Sequence, residues 1–249
     1  MIYEKLNNFF RLKKVKFFYK GQVNSTMEEI KKIPLNKYDF LIFQSDSQKI
    51  GRGRLKNKWV SKSGNIFFTI KVKTKRDSKF FFQLGIITAV EIKNTIDLFR
   101  IKKVKLKWPN DIFIEDKKVG GILIESLHQD SSDVCLVGVG INFLNSPENL
   151  NYKTTYLKKY NDKIDKNIFI HNLYKNILNS YYEWNQNIDK DFIKKYKENL
   201  MYLGKQIKVT NNKNIIYGKF HDITNDGYAI VEIRGKKEIV FSGSIELLQ

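Results

Sequence analysis

Two arginines alternate with two glycines in the segment Gly51-Arg52-Gly53-Arg54, and this pattern suits the binding of an anion. Glycine lets the backbone approach a ligand closely, and arginine presents a permanently charged, planar fork that matches carboxylate and phosphate. We interpret the segment either as a mobile loop that closes over an anionic ligand or as a basic surface turn. The segment alone does not separate these two interpretations, because short Gly/Arg patterns are weak motifs.

Other residues that commonly do chemistry give few leads. The three histidines, His128, His171 and His221, lie far apart and lack the spacing of metal ligands, so we predict no zinc site. The one cysteine, Cys135, lies in an apolar run and is predicted to pack as a small buried residue. A single cysteine excludes a disulfide within the chain and fits a reducing compartment.

The charge balance is strongly basic, with 45 Lys and Arg against 26 Asp and Glu, a formal net charge of +19. The excess is nearly all lysine and is spread from end to end, which is typical of solvated faces and does not favour nucleic-acid binding as the main activity. A partner with an acidic surface suits this charge. No apolar run approaches the ~20 residues that a membrane-spanning helix needs, and the N-terminus lacks the pattern of a secretory signal.

The hydrophobic patterns predict an α+β fold. Predicted strands are Val15–Tyr19, Tyr38–Phe43, Asn65–Lys73, two within Val104–Ile114, Val119–Glu125 after a turn at Lys117–Lys118, and Val134–Phe143. Predicted helices are Thr26–Ile33, with a capping box of Ser25 and Glu28, then Lys79–Phe99, Asp165–Trp184 and Asp189–Leu200. This order gives a mixed, largely antiparallel sheet with helices on one side.

The last fifty residues or so change character and predict a second, smaller module. Short strands are expected at Ile207–Val209, Ile215–Tyr217, Tyr228–Ile233 and Glu238–Phe241, separated by glycine-containing turns. We therefore expect two domains, residues 1–200 and 201–249, of which the second is a small β-barrel.

Five motifs occur in an order and at a spacing that resemble one family. They are Ser25-Thr26, Gln48-x-x-Gly-Arg-Gly-Arg54 with Trp59, Lys107-Trp-Pro-Asn-Asp111, Lys118-x-Gly-Gly-Ile122 and Gly138-Val-Gly-Ile-Asn142. The chain resembles the biotin–protein ligases (biotin–[acetyl-CoA-carboxylase] ligases) from about residue 15 to its C-terminus. The resemblance implies a sheet like that of class II synthetases and a C-terminal SH3-like domain.

The resemblance also implies a two-step reaction. Biotin and ATP, with Mg²⁺, give biotinyl-5′-AMP, and the biotinyl group then passes to one lysine of a biotin carboxyl carrier protein. Only about fourteen residues precede the first predicted strand, so we expect the monofunctional form, without the DNA-binding domain of bifunctional members and without specific DNA binding. We further expect a cytoplasmic protein that binds no membrane and is a monomer or a weak homodimer.

The same resemblance implies the site residues. The implied biotin-binding residues are Ser25, Thr26, Gln48, Gly51, Arg52, Lys118 and Gly121. The implied ATP- and adenylate-binding residues are Arg52, Arg54, Trp59, Asn110, Lys118 and Asn142. Lys118, Arg52 and Asp111 are implied to be catalytic, and no side chain is implied to bind metal. Loop closure over the adenylate is expected to keep water from it.

The chain departs from the family pattern at Met27, where Asn is usual, which removes one expected hydrogen bond at the start of the helix. Two alternatives stay open. One is a lipoate or octanoate ligase with the same fold, against which the motifs Lys107-Trp-Pro-Asn-Asp111 and Gly51-Arg-Gly-Arg54 argue. The other is a non-catalytic module that binds biotin or nucleic acid, against which the presence of both Arg52 and Lys118 argues.

Overall fold

The computed structural model describes residues 10–248 except residues 12, 75, 130, 131, 149, 189, 190, 212 and 213. Seven strands form the main sheet: β1 (Val15–Val23), β2 (Phe40–Gln48), β3 (Ile66–Lys73), β4 (Val104–Lys107), β5 (Asp111–Ile114), β6 (Lys117–Gln129) and β7 (Ser132–Ile141). Their order is β1-β2-β3-β7-β6-β5-β4. Strands β1 and β2 are parallel and the other neighbouring pairs are antiparallel. The prediction of a mixed, largely antiparallel sheet is confirmed.

The helices with described bounds that accompany the sheet are α1 (Thr26–Lys31), α2 (Phe81–Leu98), α3 (Lys166–Asn185) and α4 (Phe192–Glu198). Side chains alternate between the two faces of a strand, so Phe40 and Leu41 point to opposite sides. Phe40 belongs to the large core beneath α2 and α3, and Leu41 belongs to a smaller core with Met27 and Ile30 of α1. The long helices therefore share one face, as expected, whereas the short α1 covers the other.

The N-termini of α1 and α3 differ in how they are capped. Asp165 caps α3, because its Oδ1 accepts a hydrogen bond of 2.8 Å from the backbone N–H of Ile168. The predicted capping box of α1 is wrong, since the Ser25 side chain makes no capping hydrogen bond. Glu28 pairs with Lys31 and Arg52 instead, which directs its carboxylate away from the helix start.

Strands β5 and β6 are joined by a tighter turn than predicted. The turn lies at Glu115 and Asp116, which have φ of 49° and 60°, as a two-residue type I′ hairpin turn requires. The predicted turn at Lys117–Lys118 is wrong, because both lysines already belong to β6. This shift places Lys118 in the sheet, paired with Phe113 of β5.

The C-terminal module is a five-stranded antiparallel sheet of β8 (Gln206–Asn211), β9 (Asn214–Ile223), β10 (Ala229–Ile233), β11 (Lys236–Val240) and β12 (Ser244–Leu247). The order is β11-β10-β9-β8-β12, so among the described residues no pairing between β11 and β12 closes the predicted barrel. Strand β12 was not predicted, because it is short and buries only Ile245. The domain boundary at residue 200 stays a prediction.

The module packs against the main domain close to the turn between β4 and β5. The Trp108 indole N–H donates a buried hydrogen bond of 2.9 Å to the Gly227 carbonyl. Gly227 has φ of +92°, and a Cβ there would lie 2.0 Å from Ile86, so the contact requires glycine. The C-terminal module therefore packs against the segment Lys107-Trp-Pro-Asn-Asp111 through the contact between Trp108 and Gly227.

The core prediction for Cys135 is confirmed, and Trp184, which is 1% exposed, also lies in the large core. Cys135 is fully buried, and burial raises the pKa of its thiol, which keeps it protonated and unreactive. No helix among the described residues is long and apolar enough to cross a membrane.

Candidate active site

A small set of uncharged polar groups lies where α1 begins beside the end of β2. The Gln48 Oε1 accepts hydrogen bonds from the Thr26 backbone N–H at 2.8 Å and from the Thr26 hydroxyl at 3.2 Å. The Gln48 amide in turn donates to the Ser61 hydroxyl at 3.0 Å, and the Thr26 and Thr69 hydroxyls lie 2.8 Å apart. The strand end and the helix start thus form one hydrogen-bonded wall, which we call the polar wall.

Two paired glycines form the floor beside this wall. Gly121 of β6 and Gly140 of β7 are partners in the sheet, and the indole of Trp59 lies directly on them. A Cβ on Gly140 would lie 2.5 Å from the Trp59 ring, and one on Gly121 would lie 3.1 Å from it. Any side chain at Gly140 would displace Trp59, so the glycine is needed for this close approach.

Residues Gly51–Trp59, here called the arginine loop, form a compact turn over the sheet. The Trp59 N–H donates to the Gly51 carbonyl at 2.9 Å and closes the base of the loop. The Gly53 N–H donates to the Asn57 carbonyl at 2.8 Å inside it. A Cβ on Gly51 would lie 2.3 Å from the Trp59 carbonyl oxygen, so this base also requires glycine.

Three cations interact with the charge of one carboxylate, Asp111, on the far side of the floor. Lys118 Nζ lies 2.7 Å from Asp111 Oδ1. Arg54 and Lys107 also interact electrostatically with Asp111, and Lys107 interacts in the same way with the exposed Glu246. We call Arg54, Lys107, Lys118 and Asp111 the cationic cluster. Its positive charges outnumber its single carboxylate.

Arg54 is held by neutral acceptors. Its Nη1 donates to the Asn110 Oδ1 at 3.3 Å and to the Gly243 carbonyl of the C-terminal module at 3.0 Å. Burial lowers the pKa of Arg54, and the nearby Asp111 opposes that effect. Burial also lowers the pKa of Lys107, again opposed by Asp111. A guanidinium stays charged in proteins, so Arg54 is a half-buried cation whose hydrogen-bond partners among the described residues are neutral.

A pocket opens between the arginine loop and the segment that follows β7. The aromatic pocket, as we call it, is lined by Lys58, Trp59, Val60, Lys118, Asn142, Pro147, Leu150, Tyr152 and Thr154. Lys118 Nζ lies 5.4 Å from the ring centroids of both Trp59 and Tyr152. The buried Asn142 Oδ1 and Trp59 Nε1 have no hydrogen-bond partner in the described part of the chain. Such orphan polar atoms are unusual in a folded protein, and a ligand can satisfy them.

Arg52 has a different environment from Arg54, although only one residue separates them. Its guanidinium pairs with Glu28 of α1 and lies 2.6 Å from Glu125 of β6. Lys31 of α1 lies 2.9 Å from each of the same two carboxylates. We call Glu28, Lys31, Arg52 and Glu125 the anchor cluster, and its four charges balance.

Two family models match the chain. The model of the biotin/lipoate A/B protein ligase family matches residues 20–142, and the model of the biotin protein ligase C terminal domain matches residues 202–248. Together they match well over half of the chain. The chain belongs to the biotin protein ligase family. Its seven-stranded sheet and its C-terminal module are thus the two parts of a biotin protein ligase fold.

Individual relatives agree with this assignment. BirA, a bifunctional ligase/repressor of Bacillus spizizenii, is 24% identical over 237 residues, which span 92% of this chain and 73% of the relative. Biotin–protein ligase 2 of Arabidopsis thaliana is 34% identical over 103 residues, but these span 39% of this chain and 31% of the relative. A solved biotin protein ligase from Aquifex aeolicus, in complex with biotin and ATP, has a TM-score of 0.80 and 27% identity. That match covers 94% of this chain and 99% of the other.

The fold brings most of the predicted site residues together. The polar wall contains Thr26 and Gln48 and adjoins the buried Ser25. Lys118, Asp111, Asn110 and Arg54 meet on the cationic side, and Trp59, Gly121 and Asn142 lie between or beside them. Arg52 differs, because its side chain points to the anchor cluster and only its backbone follows the loop over the floor. The binding and catalytic roles of these residues stay predictions.

The structure adds site residues that the sequence did not single out. Ser61 completes the polar wall, Tyr152 lines the aromatic pocket and the Gly243 carbonyl holds Arg54. An aromatic residue in the Lys/Asn-rich segment 145–165 was a usable signal for Tyr152. The Gly243 contact acts through a backbone carbonyl 189 residues away from Arg54, so no side-chain pattern could have indicated it.

Proposed function

We propose that the protein is an ATP-dependent biotin–protein ligase, a biotin–[acetyl-CoA-carboxylase] ligase in the reaction that it catalyses. One observation carries the proposal: a glycine floor joins an uncharged polar wall to a cluster in which cations exceed carboxylates. Biotin has a neutral ureido head, an apolar chain and a carboxylate, in that order. This sequence of chemistries follows the site from wall to floor to cluster.

The polar wall suits the ureido head because that group has both N–H donors and a carbonyl acceptor. Ser25, Thr26, Gln48 and Ser61 supply hydroxyl and amide groups that both donate and accept. The Trp59 indole already covers the floor of Gly121 and Gly140, so the apolar chain packs against this ring and not directly on the glycines. The carboxylate arrives beside Lys118, whose Nζ lies 5.4 Å from the centroid of the Trp59 ring.

In the first step, a biotin carboxylate oxygen forms a bond to the α-phosphorus of ATP, and the bond from that phosphorus to the β-bridging oxygen breaks. Pyrophosphate leaves with the electron pair. The main obstacle is repulsion between two anions, so a preorganised cluster of cations lowers the barrier. Lys118 contacts both reacting groups, and Arg54 and Lys107 stabilise the charge on the phosphates.

Asn110 has a supporting role in this step. Its Oδ1 accepts from Arg54, while its Nδ2 donates to the Ile122 carbonyl at 2.8 Å. Asn110 therefore fixes the direction of the Arg54 guanidinium and ties it to β6. On the adenine side, the aromatic pocket offers Tyr152 as a stacking surface and the orphan Asn142 Oδ1 as an acceptor for an amino group.

In the second step, a lysine amine of the acceptor attacks the activated carbonyl carbon, an amide bond forms and AMP leaves. The attacking amine must lose a proton. Asp111 is the proposed group that orients this amine and accepts its proton, and the ion pair with Lys118 holds Asp111 beside the reacting carbonyl. We propose a biotin carboxyl carrier domain of acetyl-CoA carboxylase or a related carboxylase as the acceptor, and its acidic surface would complement the net charge of +19.

Mg²⁺ is expected to enter with the triphosphate, whose oxygens are its preferred ligands, and to neutralise part of the phosphate charge. The described residues of the site do not form a protein cage for it. The described part of the chain contains no group of three His, Cys, Asp or Glu side chains that could hold a metal ion. Asp111, the carboxylate nearest the site, is engaged by Lys118.

The decisive experiment is ATP–pyrophosphate exchange with biotin, lipoate, octanoate or no acid as the co-substrate. We expect exchange with biotin alone, because the ureido head has the donors and acceptors that the polar wall requires, whereas a lipoyl ring and an octanoyl chain have none. Exchange that is stronger with lipoate or octanoate would contradict the proposal and favour the other branch of the family.

A further inference from the structure

The four charged side chains of the anchor cluster form a closed ring of ion pairs. Arg52 pairs with Glu28 and with Glu125, and Lys31 pairs with the same two carboxylates at 2.9 Å each. The members come from the arginine loop, from α1 and from β6. These three parts of the chain are joined at this ring by side chains alone.

The ring leaves the Arg52 guanidinium little capacity for another anion. Its Nη1 and Nη2 atoms are each directed at a carboxylate, and both carboxylates are shared with Lys31. The charge of Arg52 is already compensated by these two carboxylates, and both would repel a phosphate bound to its remaining N–H groups. The hydrogen-bond partners of Arg54 among the described residues are neutral, so a phosphate there meets no such repulsion from a bonded carboxylate.

The positions of the two carboxylates connect the ring to the site. Glu28 lies on α1, two residues after Thr26 of the polar wall. Glu125 lies on β6 four residues after Gly121, and alternate residues of a strand share a face, so Glu125 and the floor glycine lie on the same side of the sheet. The ring therefore links the loop to one wall and to the floor.

We propose that Arg52 is a positioning residue that fastens the arginine loop to α1 and β6, with Glu28 and Glu125 as its anchoring residues. The consequence for catalysis, which rests on the proposed function, is retention of the biotinyl-adenylate under the loop until the acceptor lysine arrives. Arg52 then acts through the loop and not by contact with the phosphate. Arg52 and Arg54 thus have different roles because Arg52 lies between two carboxylates and Arg54 lies between neutral acceptors.

The first test measures the loop itself, without biotin or ATP. Hydrogen exchange of the Gly53 and Trp59 amides, which close the loop, is compared in the full chain and in the variants Glu28→Gln, Glu125→Gln and Arg52→Gln. We expect exchange to rise by about 1.5- to fivefold for each carboxylate lost, the range for partly exposed ion pairs. Glu29→Gln is the matched control, because Glu29 lies on the same helix and pairs with Lys32 at 3.0 Å.

Unchanged exchange in the double variant Glu28→Gln/Glu125→Gln would overturn the anchoring role, whatever the enzyme does with biotin. An increase in the Glu29→Gln control as large as in the double variant would also overturn it, because the effect would then be one of α1 as a whole. This readout needs no ligand, so it stands apart from the proposed function. Absence of biotin-dependent exchange with pyrophosphate in the unaltered protein would reject that function and leave the anchor intact.

The second test distinguishes anchoring from phosphate binding, because the two roles of Arg52 predict different changes in the KM for ATP when both carboxylates are removed. If the carboxylates anchor the loop, the double variant releases biotinyl-adenylate faster than the unaltered protein, with the KM for ATP little changed. Adding Arg52→Gln should then give no further increase, because the three side chains act as one unit. If Arg52 is instead a phosphate ligand restrained by the carboxylates, the same double variant frees it. A lower KM for ATP in that variant would overturn the proposal.

Discussion

The two charged clusters beside the arginine loop contain the same kinds of residue but are built for different purposes. In the anchor cluster two cations meet two carboxylates, and all four side chains are partly exposed. In the cationic cluster Arg54, Lys107 and Lys118 share Asp111, and burial lowers the pKa of Arg54 and of Lys107. The four charges of the anchor cluster already balance, whereas the half-buried excess of cations in the cationic cluster is costly until an anion binds.

This difference assigns a structural role to Arg52 and a ligand-binding role to Arg54, although both belong to the short motif Gly51-Arg-Gly-Arg54. A cation kept from water without a full counter-charge destabilises the free protein, so its retention points to a charged ligand. Arg52 and Arg54 cannot be told apart by residue type. They are told apart by which elements the fold places against them.

The largest effect is expected for Lys118→Ala, which removes the cation nearest to Asp111 and to both aromatic rings. We expect a loss of about 10²- to 10³-fold in biotin-dependent ATP–pyrophosphate exchange, the range for removal of one preorganised group that stabilises transition-state charge. Lys117→Ala, one residue earlier in β6, is the control. Near-normal exchange in Lys118→Ala would remove this residue from the site and weaken the whole account of the cationic cluster.

The comparison between the arginines is tested by making the same change in each. Arg54→Gln removes a half-buried cation that Asn110 and Gly243 hold in place, and we expect about 10²-fold slower adenylate formation. Arg52→Gln removes a balanced surface group and should slow that step by less than about fivefold. The measurement is single-turnover formation of adenylate from biotin and ATP. Equal losses would show that the two clusters do not differ in function.

The sequence predicted which residues form this site better than it predicted the contacts between them. Family motifs supplied Thr26, Gln48, Lys118 and Asp111, and the hydrophobic patterns supplied the strands that carry them. The partners of Arg52 lie 24 and 73 residues away along the chain, so their proximity depends on packing between α1, β6 and the loop. Charge pairing at such separations has no periodic signature.

Other differences have local causes. The turn before Lys118 was misplaced because the two lysines look like turn residues, although Glu115 and Asp116 adopt the positive φ values of the hairpin. Strand β12 was missed because Ile245 is its one buried residue. In both cases the decisive feature, a backbone conformation or an edge pairing, is weakly encoded in residue type.

An intermediate effect is expected in the aromatic pocket, which extends the cationic cluster toward the adenine. Tyr152→Ala removes an exposed ring that lies 5.4 Å from Lys118 Nζ. We expect the KM for ATP to rise about tenfold, the effect of losing one stacked base, with the KM for biotin unchanged. Tyr152→Phe keeps the ring and should behave like the unaltered protein. A rise in the KM for biotin instead would place Tyr152 on the other side of the floor.

The smallest expected effect is on the pH dependence of loop protection and of ATP affinity. It distinguishes the anchor cluster from the cationic cluster without a mutation. Hydrogen bonding from Lys31 and the charges of Lys31 and Arg52 lower the pKa of Glu28 below its ordinary 4.5, although partial burial acts in the opposite direction. Burial alone would lower the pKa of Lys31, but its bonds to Glu125 and Glu28 raise it above 10.5. The contribution of Glu28 is therefore complete above pH 4.5 and is lost as the pH falls through its lowered pKa.

By the same reasoning, the contribution of Lys31 is complete below pH 10.5 and is lost only as the pH rises through its raised pKa. Loop protection, corrected for intrinsic exchange rates, should thus be flat from about pH 5 to about pH 9. In the cationic cluster the lowered pKa of Lys107 has the opposite consequence, because burial makes this side chain lose its charge at a lower pH than an ordinary lysine. Affinity for ATP, measured by calorimetry as the pH is raised toward 10.5, should therefore weaken while the loop stays closed. If loop protection and ATP affinity fall together there, the two clusters form one electrostatic unit and their separation into anchor and binding site is wrong.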